Sequence, residues 1–397
     1  MREVSIIGAG MTSFGKFEDK SLRALGSEAI AEAMNDAGIT GTDVDLVIHA
    51  NAVAGLITGQ EMTRGQVVVA DTDVAGLPLV NVENACASSS SALHLAVTAI
   101  RSGMYDTVLV VGSEKMSGRG TRAALDALTT AADVERLDEF NRELTGRDGG
   151  AESFFMEIYA QETVRYMERS GATARDFAEV AAKNSAHAML NPHAQYRTLR
   201  TADEVLASRQ VAGPITMLMC SPVADGAAAL VVQATDKVSE DRVADAVRIR
   251  ATALLTGVPG GLTTSLERRT IEIAYEQAGL GPDDLDVVEL HDGASPNELM
   301  VIEDLGLCPP GDARKLLAAG DTSLGGRIPV NTSGGLVSKG HPVGATGAAQ
   351  IVELVTQLRG RAGKRQVEGA HVGIAENAGG YSHPEPAACV VTILSKD

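Results

Sequence analysis

The chain predicts an α/β fold made of two similar halves, and three features of its order point there. Residues 1–116 alternate short apolar strands with helices in a β-α-β-α-β rhythm, and the same rhythm restarts after residue 240. Between them, residues 117–214 read as helical stretches joined by charged, glycine-containing loops, an inserted helical lid. A length of 397 residues also exceeds what one ordinary hydrophobic core holds. The expected division is 1–116 plus 215–240 for the first half, 117–214 for the insert and 241–397 for the second half.

In the first half, residues 4–7 form a strand, 21–37 an amphipathic helix stopped by Gly38, and 46–49 a strand. A strand end at 79–82 leads into a tight turn holding Cys86, then a small-residue helix over 87–102 and a buried strand over 107–111. This order implies right-handed crossovers and a mostly parallel sheet. The insert offers helices at 122–130, 151–170 and 174–189, with a loop at 145–150. Residues 216–225 lead into a strand at 228–233 that closes the first sheet. In the second half, 248–255 is a strand, 264–278 a helix ended by Gly279, 285–290 a strand running into His291, and 296–305 a helix. A strand at 328–330, a helix over 344–358 and strands at 370–376 and 388–394 complete it. The glycine-rich turn at 334–347 stands where the Cys86 turn stood. Ligands of such sheets sit at the carboxyl ends of strands, where Cys86, His291, His341 and Asn377 all fall.

Composition narrows the function. A formal charge of −18 opposes binding to nucleic acid or to an anionic membrane. No stretch approaches the length of a membrane span and the chain begins directly with a strand, so a cytoplasmic location is expected. Cys86, Cys220, Cys308 and Cys389 lie far apart with no CxxC pair, which suggests free thiols, with neither a metal site nor a disulfide framework. An anionic ligand requires a local basic patch, for which Arg119, Arg122, Lys183, Arg197, Arg200 and Arg209 are the candidates.

Cys86 stands at the head of a helix, where unpaired N–H groups carry partial positive charge and favour a thiolate over a thiol. Ala85, Ala87 and the serines at 88–91 are small enough for a substrate to approach. Locally, a reactive thiol and a small core hydrophobe are equally placed. Residues 331–347, NTSGGLVSKGHPVGATG, add weight to the first: glycines permit close backbone approach, and His341 is held between Gly340 and Pro342 just before a helix.

The GHPVGATG string, the cysteine heading a serine-rich helix, the His291-Asp292 strand end and the NAGG turn at 377–380 together resemble the thiolase superfamily over essentially the whole chain. Lys183-Asn184, Asn191-Pro192 and CSPVADGAA from Cys220 resemble its sterol-carrier-type and archaeal-type members. The resemblance implies a duplicated thiolase-like fold, two pseudo-equivalent mixed sheets in a five-layer αβαβα arrangement. It implies that Cys86 takes an acyl group from an acyl-CoA, that His341 activates it and lines a first oxyanion site with His291, and that the N–H groups of Cys86 and Gly380, in the turn with Asn377, form a second. Lys183, Ser338 and Gly340 are implied as substrate contacts. Coenzyme A thioesters enter as substrates, with no cofactor bound permanently. A homodimer or homotetramer meeting near Val108, and a small zinc-ribbon/OB-fold partner protein, are implied in the same way.

Two departures stand out. Such enzymes keep a second cysteine as acid/base, yet the two positions for it hold Asn377 and Gly293. This leaves a Cys-His-His set, with His291 as the expected base. The aromatic of the His-Asp motif is replaced by Ala294, which suggests a wider pocket. His49, His94, His187, His193, His371 and His383 read as structural, Met217 and Met219 as core, and Cys220, Cys308 and Cys389 as buried structural thiols. Three functions stay open: a thiolase making or cleaving a 3-oxoacyl-CoA, a thiolase-fold retro-aldolase or C-acyltransferase, and a non-catalytic subunit. The retained Cys86 and complete GHPVGATG count against the last.

Overall fold

A computed structural model of the protein describes residues 2–145 and 153–396; the start of the 151–170 helix and the 145–150 loop lie largely outside these described residues. Eleven strands occur among them: β1 (Val4–Met11), β2 (Leu46–Ala50), β3 (Leu79–Val82), β4 (Thr107–Glu114), β5 (Gln210–Ala212), β6 (Ile215–Thr216), β7 (Gly226–Ala234), β8 (Val247–Thr256), β9 (Val287–Glu289), β10 (Val372–Gly379) and β11 (Ala388–Ser395). All but the β5–β6 pair join one mixed sheet in the order β3-β2-β4-β7-β1-β8-β11-β10-β9. The duplication is visible in that order. Outward from the centre, the first half runs β1, β7, β4, β2, β3 and the second runs β8, β11, β10, β9, then Val330. The expected strand at 328–330 is reduced to a single parallel bridge between Val330 and Val288. Within the sheet, the described residues of the two halves pair at two positions, Ser5 with Arg248 and Ile6 with Val247.

The expectation of a mostly parallel first sheet does not hold. β2 pairs parallel with β3 and β4, but β7 is antiparallel to both β4 and β1. The reason is topological: β7 enters after the long insert, so no crossover helix dictates its direction.

Side-chain alternation along the strands produces the five layers. Ile7, Val47, Leu109, Val111 and Val231 face the Leu22–Ala37 helix on one outer side. That helix starts at Ser21, whose hydroxyl accepts from Ala24 N–H, and stops at Gly38 in the left-handed conformation. The alternate residues Ile6, Ile48, Val108, Val110 and Val232 face inward, onto the helices Ser88–Arg101 and Thr346–Leu358. Val287, Ala375 and Leu394 close the same central cluster from the second half. On the far side Ala251, Val391 and Ile393 carry the Leu266–Ala278 helix. β4 is therefore buried on both faces and paired on both edges, which rules out the expected dimer contact near Val108. The strand with an open edge in the first half is β3, where Val80 is 48% exposed.

Residues 117–214 contribute the helices Gly120–Thr129, Leu137–Thr145, Phe154–Ser170, Ala174–Met189 and Ala202–Ala207 and the strand β5, which pairs with β6 just beyond them. The Ala174–Met189 helix is no loose cover: Phe177, Ala178 and Ala181 are buried in one cluster with Ala294 and Leu299 of the second half.

Candidate active site

The two central helices meet head to head, and the site forms where they touch. At the first head Ala85 takes a positive φ of 48°, so the chain turns sharply from β3 into a short 3-10 turn, Ala85–Ala87, that carries Cys86. Ser88 holds this turn closed, accepting from Asn84 N–H at 2.9 Å and donating to Ala85 O at 2.6 Å. At the second head the 3-10 turn Val343–Ala345 precedes the Thr346–Leu358 helix. The serines do more than make room. Ser89 Oγ accepts from Ala348 N–H of the opposing helix at 2.9 Å, supplying an acceptor to a first-turn N–H there.

This contact sets Cys86 Sγ 3.3 Å from His341 Nε2. His341 Nδ1 lies 2.7 Å from Thr346 Oγ1, and the Thr346 hydroxyl donates to Pro342 O. With its proton committed, Thr346 Oγ1 accepts from Nδ1–H, which leaves the Nε2 lone pair directed at the thiol. Glu114, buried at the end of β4, ties the His341 turn to the first half. Its carboxylate accepts from the N–H groups of Ala52, Val53 and Gly344 and from Asn51 Nδ2. The His291 ring stands edge-on to that of His341, with centroids 5.2 Å apart, and its buried Nε2 has no hydrogen-bond partner. The sulfur and the two imidazoles place one polar atom each within 4.8 Å of one another.

The electrostatics differ from the expectation for a helix head. Burial pushes the Cys86 thiol up to about 12, against the opposing pull of the Gly380 and Cys86 N–H groups. Desolvation outweighs the helix terminus, so the sulfur rests as a thiol and must lose its proton during reaction. Burial likewise lowers His291 to about 4 and His341, which also feels His291 and Lys339, well below 6.5. Both rings are neutral at pH 7.

A cavity of about 1040 Å³ opens over this centre. Cys86, His291 and His341 line its floor; Tyr159, Gly293, Val337 and Ser338 stand beside them, and Lys16, Arg64, Arg200 and Arg209 also contribute to the walls. Ser338 lines the cavity, carried by the Gly335–Lys339 turn of helix. Lys183 does not. Its ammonium is buried in an ion pair with Glu298 at 2.5 Å and bonds Val330 O at 3.0 Å, which makes it a strut behind the site. Gly340 packs against Gln195 and Ala224, outside the cavity lining. Asn377 is fully buried and accepts from Ser90 Oγ at 2.7 Å, so its side chain props the Cys86 helix from behind. Gly380 remains beside the sulfur through its N–H. Asp292 accepts from Leu336 N–H and Asn184 Nδ2, holding the segment that carries Ser338.

Ala294 is wholly buried and absent from the cavity lining, so the missing aromatic does not widen the pocket there. Of the thiols expected to be buried only Cys389 is; Cys308 is partly buried and away from the cavity, and Cys220, also partly buried, lines it, with its sulfur donating to Thr216 O at 3.4 Å. Of the basic candidates only Arg200 and Arg209 reach the cavity. Thr346 and Glu114 went unnoticed in the sequence, although Thr346 lies inside the GHPVGATG string and Glu114 ends the strand that follows the Cys86 helix; Tyr159, Lys16 and Arg64 carried no signal at all.

Residues 4–236 match the family described as "Thiolase, N-terminal domain" and residues 260–395 the one described as "Thiolase C-terminal domain-like". The chain is 38% identical to an acetyl-CoA acetyltransferase of Methanothermobacter thermautotrophicus, over 96% of this chain and 97% of that one. The chain belongs to the thiolase family. Within it, human sterol carrier protein 2 is 35% identical over 96% of this chain and 70% of its own length, in keeping with the sterol-carrier-type resemblance. Among solved structures, "Ltp2-ChsH2(DUF35) aldolase" superposes with a TM-score of 0.81 at 26% identity, covering 100% of this chain and 98% of that one. The five layers and the two facing helix heads are accordingly those of a thiolase. No described helix is long and apolar enough to cross a membrane.

Proposed function

We propose that this thiolase is an acyl-CoA acyltransferase that makes or cleaves a 3-oxoacyl-CoA through an acyl-Cys86 intermediate. The observation that carries the reading is the 3.3 Å approach of Cys86 Sγ to a His341 nitrogen whose lone pair is aimed at it by Thr346. In the cleaving direction His341 takes the thiol proton as the sulfur attacks the 3-oxo carbon. The N–H groups of Cys86 and Gly380 lie beside the sulfur, suited to the oxyanion that forms on the attacked carbonyl. The buried, unpartnered Nε2 of His291 suits a hydrogen bond to the thioester oxygen as enolate character develops there. Coenzyme A then attacks acyl-Cys86, and His341 returns its proton to the departing sulfur. His291, kept neutral by burial and lacking a charge partner, fits this donor role better than the base expected from the sequence.

Mass spectrometry of the protein mixed with acetyl-CoA tests the reading. An acetyl adduct on Cys86, lost in Cys86→Ser, is the expected result; an unmodified Cys86 under turnover conditions refutes an acyl-enzyme. A second reading, a retro-aldolase acting with a zinc-ribbon/OB-fold partner, has one observation behind it, the 0.81 TM-score to a DUF35-bound aldolase. Cleavage of a 3-hydroxyacyl-CoA without consumption of coenzyme A marks that reaction. We further assign the residues 1–116 plus 215–240, 117–214 and 241–397 to the two halves and the insert, place the enzyme in the cytoplasm, and expect a homodimer or homotetramer assembled through the β3 edge.

A further inference from the structure

Cleavage of a 3-oxoacyl-CoA leaves an electron pair on the α-carbon, and that carbon must receive a proton. His341 is committed to the Cys86 sulfur, and the backbone at position 293 offers no side chain. The structure puts something else there. A β-carbon built on Gly293 meets Tyr159 Oη at 2.3 Å, Cζ at 2.8 Å and Cε2 at 3.0 Å, so the tyrosine hydroxyl occupies the space that a residue-293 side chain would fill. Tyr159 reaches it from the Phe154–Ser170 helix of the insert and lines the same cavity as Cys86, His291 and His341. Glycine at 293 and tyrosine at 159 are therefore one arrangement: any side chain on the first would expel the second.

We propose that Tyr159 is the catalytic residue that gives the α-carbon its proton in cleavage and removes it in condensation, an assignment that rests on the acyltransferase reading above. The step balances. The Cα–Cβ bond breaks as acyl-Cys86 forms; its electrons pass to the α-carbon, which takes the Tyr159 hydroxyl proton and departs as acetyl-CoA. The His341 proton passes through solvent to the phenolate; neutral His341 then takes the coenzyme A thiol proton as that sulfur attacks the acyl group and hands it to Cys86 as it departs. Tyr159 thus has no part in acyl transfer to or from coenzyme A. Burial raises the phenol well above 10, so it stays protonated and ready to donate.

Tyr159→Phe keeps the ring and removes only the hydroxyl. The expected result is acetyl-Cys86 formation from acetyl-CoA within about threefold of the native rate, with thiolysis of acetoacetyl-CoA lowered roughly 100-fold or more, the range for a lost general acid. Deuterium uptake from D2O into the methyl of acetyl-CoA should vanish in parallel, a signature that mere repacking does not produce. In Tyr159→Ala, adding Gly293→Cys should raise thiolysis at least about tenfold, since a thiol then refills the vacated place. Thiolysis by Tyr159→Phe within threefold of native, or unchanged deuterium uptake, overturns the assignment. If the native protein itself forms no acetyl adduct, it is the acyl-enzyme reading that fails, and the tyrosine role falls with it.

Discussion

At the scale of single residues, the reactive pair shows two physical effects in competition and burial prevailing. The position of Cys86 at a helix head was readable from its serine-rich run; the extent of its desolvation was not, because that depends on β10 closing behind it. A Cβ on Gly379 would lie 2.8 Å from Cys86 N, which is how close that strand comes. The sulfur's proton therefore leaves through His341, and that ring must be neutral to accept it. With its pKa lowered, His341 stays neutral as pH falls, so the acid limb of kcat/KM should lie below the ordinary imidazole value of 6.5. A pH-rate profile with its limb at or above 6.5 contradicts this. Thr346→Val removes the acceptor that fixes the tautomer and steadies the imidazolium. Such a bond to a charged group is worth about 1.5–3 kcal/mol, so kcat/KM should fall roughly ten- to hundredfold with little change in melting temperature. His341 and Cys86 could be singled out from motif strings; Thr346 lies inside the same string but shows its use only once the ring nitrogens are placed. Lys183 was misjudged because a buried ion pair and a phosphate contact look alike in sequence.

At the scale of elements, the contact between the two central helices decides catalysis, and its tolerance is small. A β-carbon on Gly347 would meet Ser90 Oγ at 1.9 Å and Ser90 N at 2.8 Å. Gly347→Ala should therefore force the helix heads apart, destabilise the protein by about 1–3 kcal/mol as overpacking does and cost more activity than its loss of melting temperature explains. Measured melting and turnover together check this; an active, fully stable variant would show that the contact yields. The helices, their caps at Ser21 and Gly38, and the repeat of strand order were readable because each rests on local pattern. The antiparallel entry of β7 was not, because pairing direction follows from chain paths far outside any window. For the same reason Val108 suggested an interface although β4 has neighbours on both sides. Val80→Lys puts a charge on the exposed face of the open-edged strand β3. It should shift the assembly toward monomer in light scattering, and an unchanged mass would place the interface elsewhere.

At the scale of the whole molecule, a charge of −18 surrounds a cavity whose walls include Lys16, Arg64, Arg200 and Arg209. Coenzyme A carries several negative charges and must cross the repulsive outer field before those side chains can help. At about 0.01 M salt that field reaches roughly 30 Å, and at 0.15 M only about 8 Å. The association rate of acyl-CoA should accordingly rise between these concentrations, and stopped-flow measurement of a rate that falls instead would mean that the cavity walls dominate at long range. The resemblance read from Cys86, His291, His341 and Gly380 anticipated the duplicated architecture correctly, since those residues lie in the turns that the duplication brings together. It had no access to the contribution of the insert, whose helices carry no comparable strings.

Among the described residues the two halves pair within the sheet at two positions of β1 and β8 and otherwise meet through the packed central helices, yet the thiol belongs to one half and its proton acceptor to the other. Turnover thus reports on alignment more sensitively than spectroscopy reports on helix content. In a urea titration the enzyme should fall silent while its circular dichroism is still native, and dilution at that stage should restore it at once, because nothing has to refold except the fit between two intact bodies.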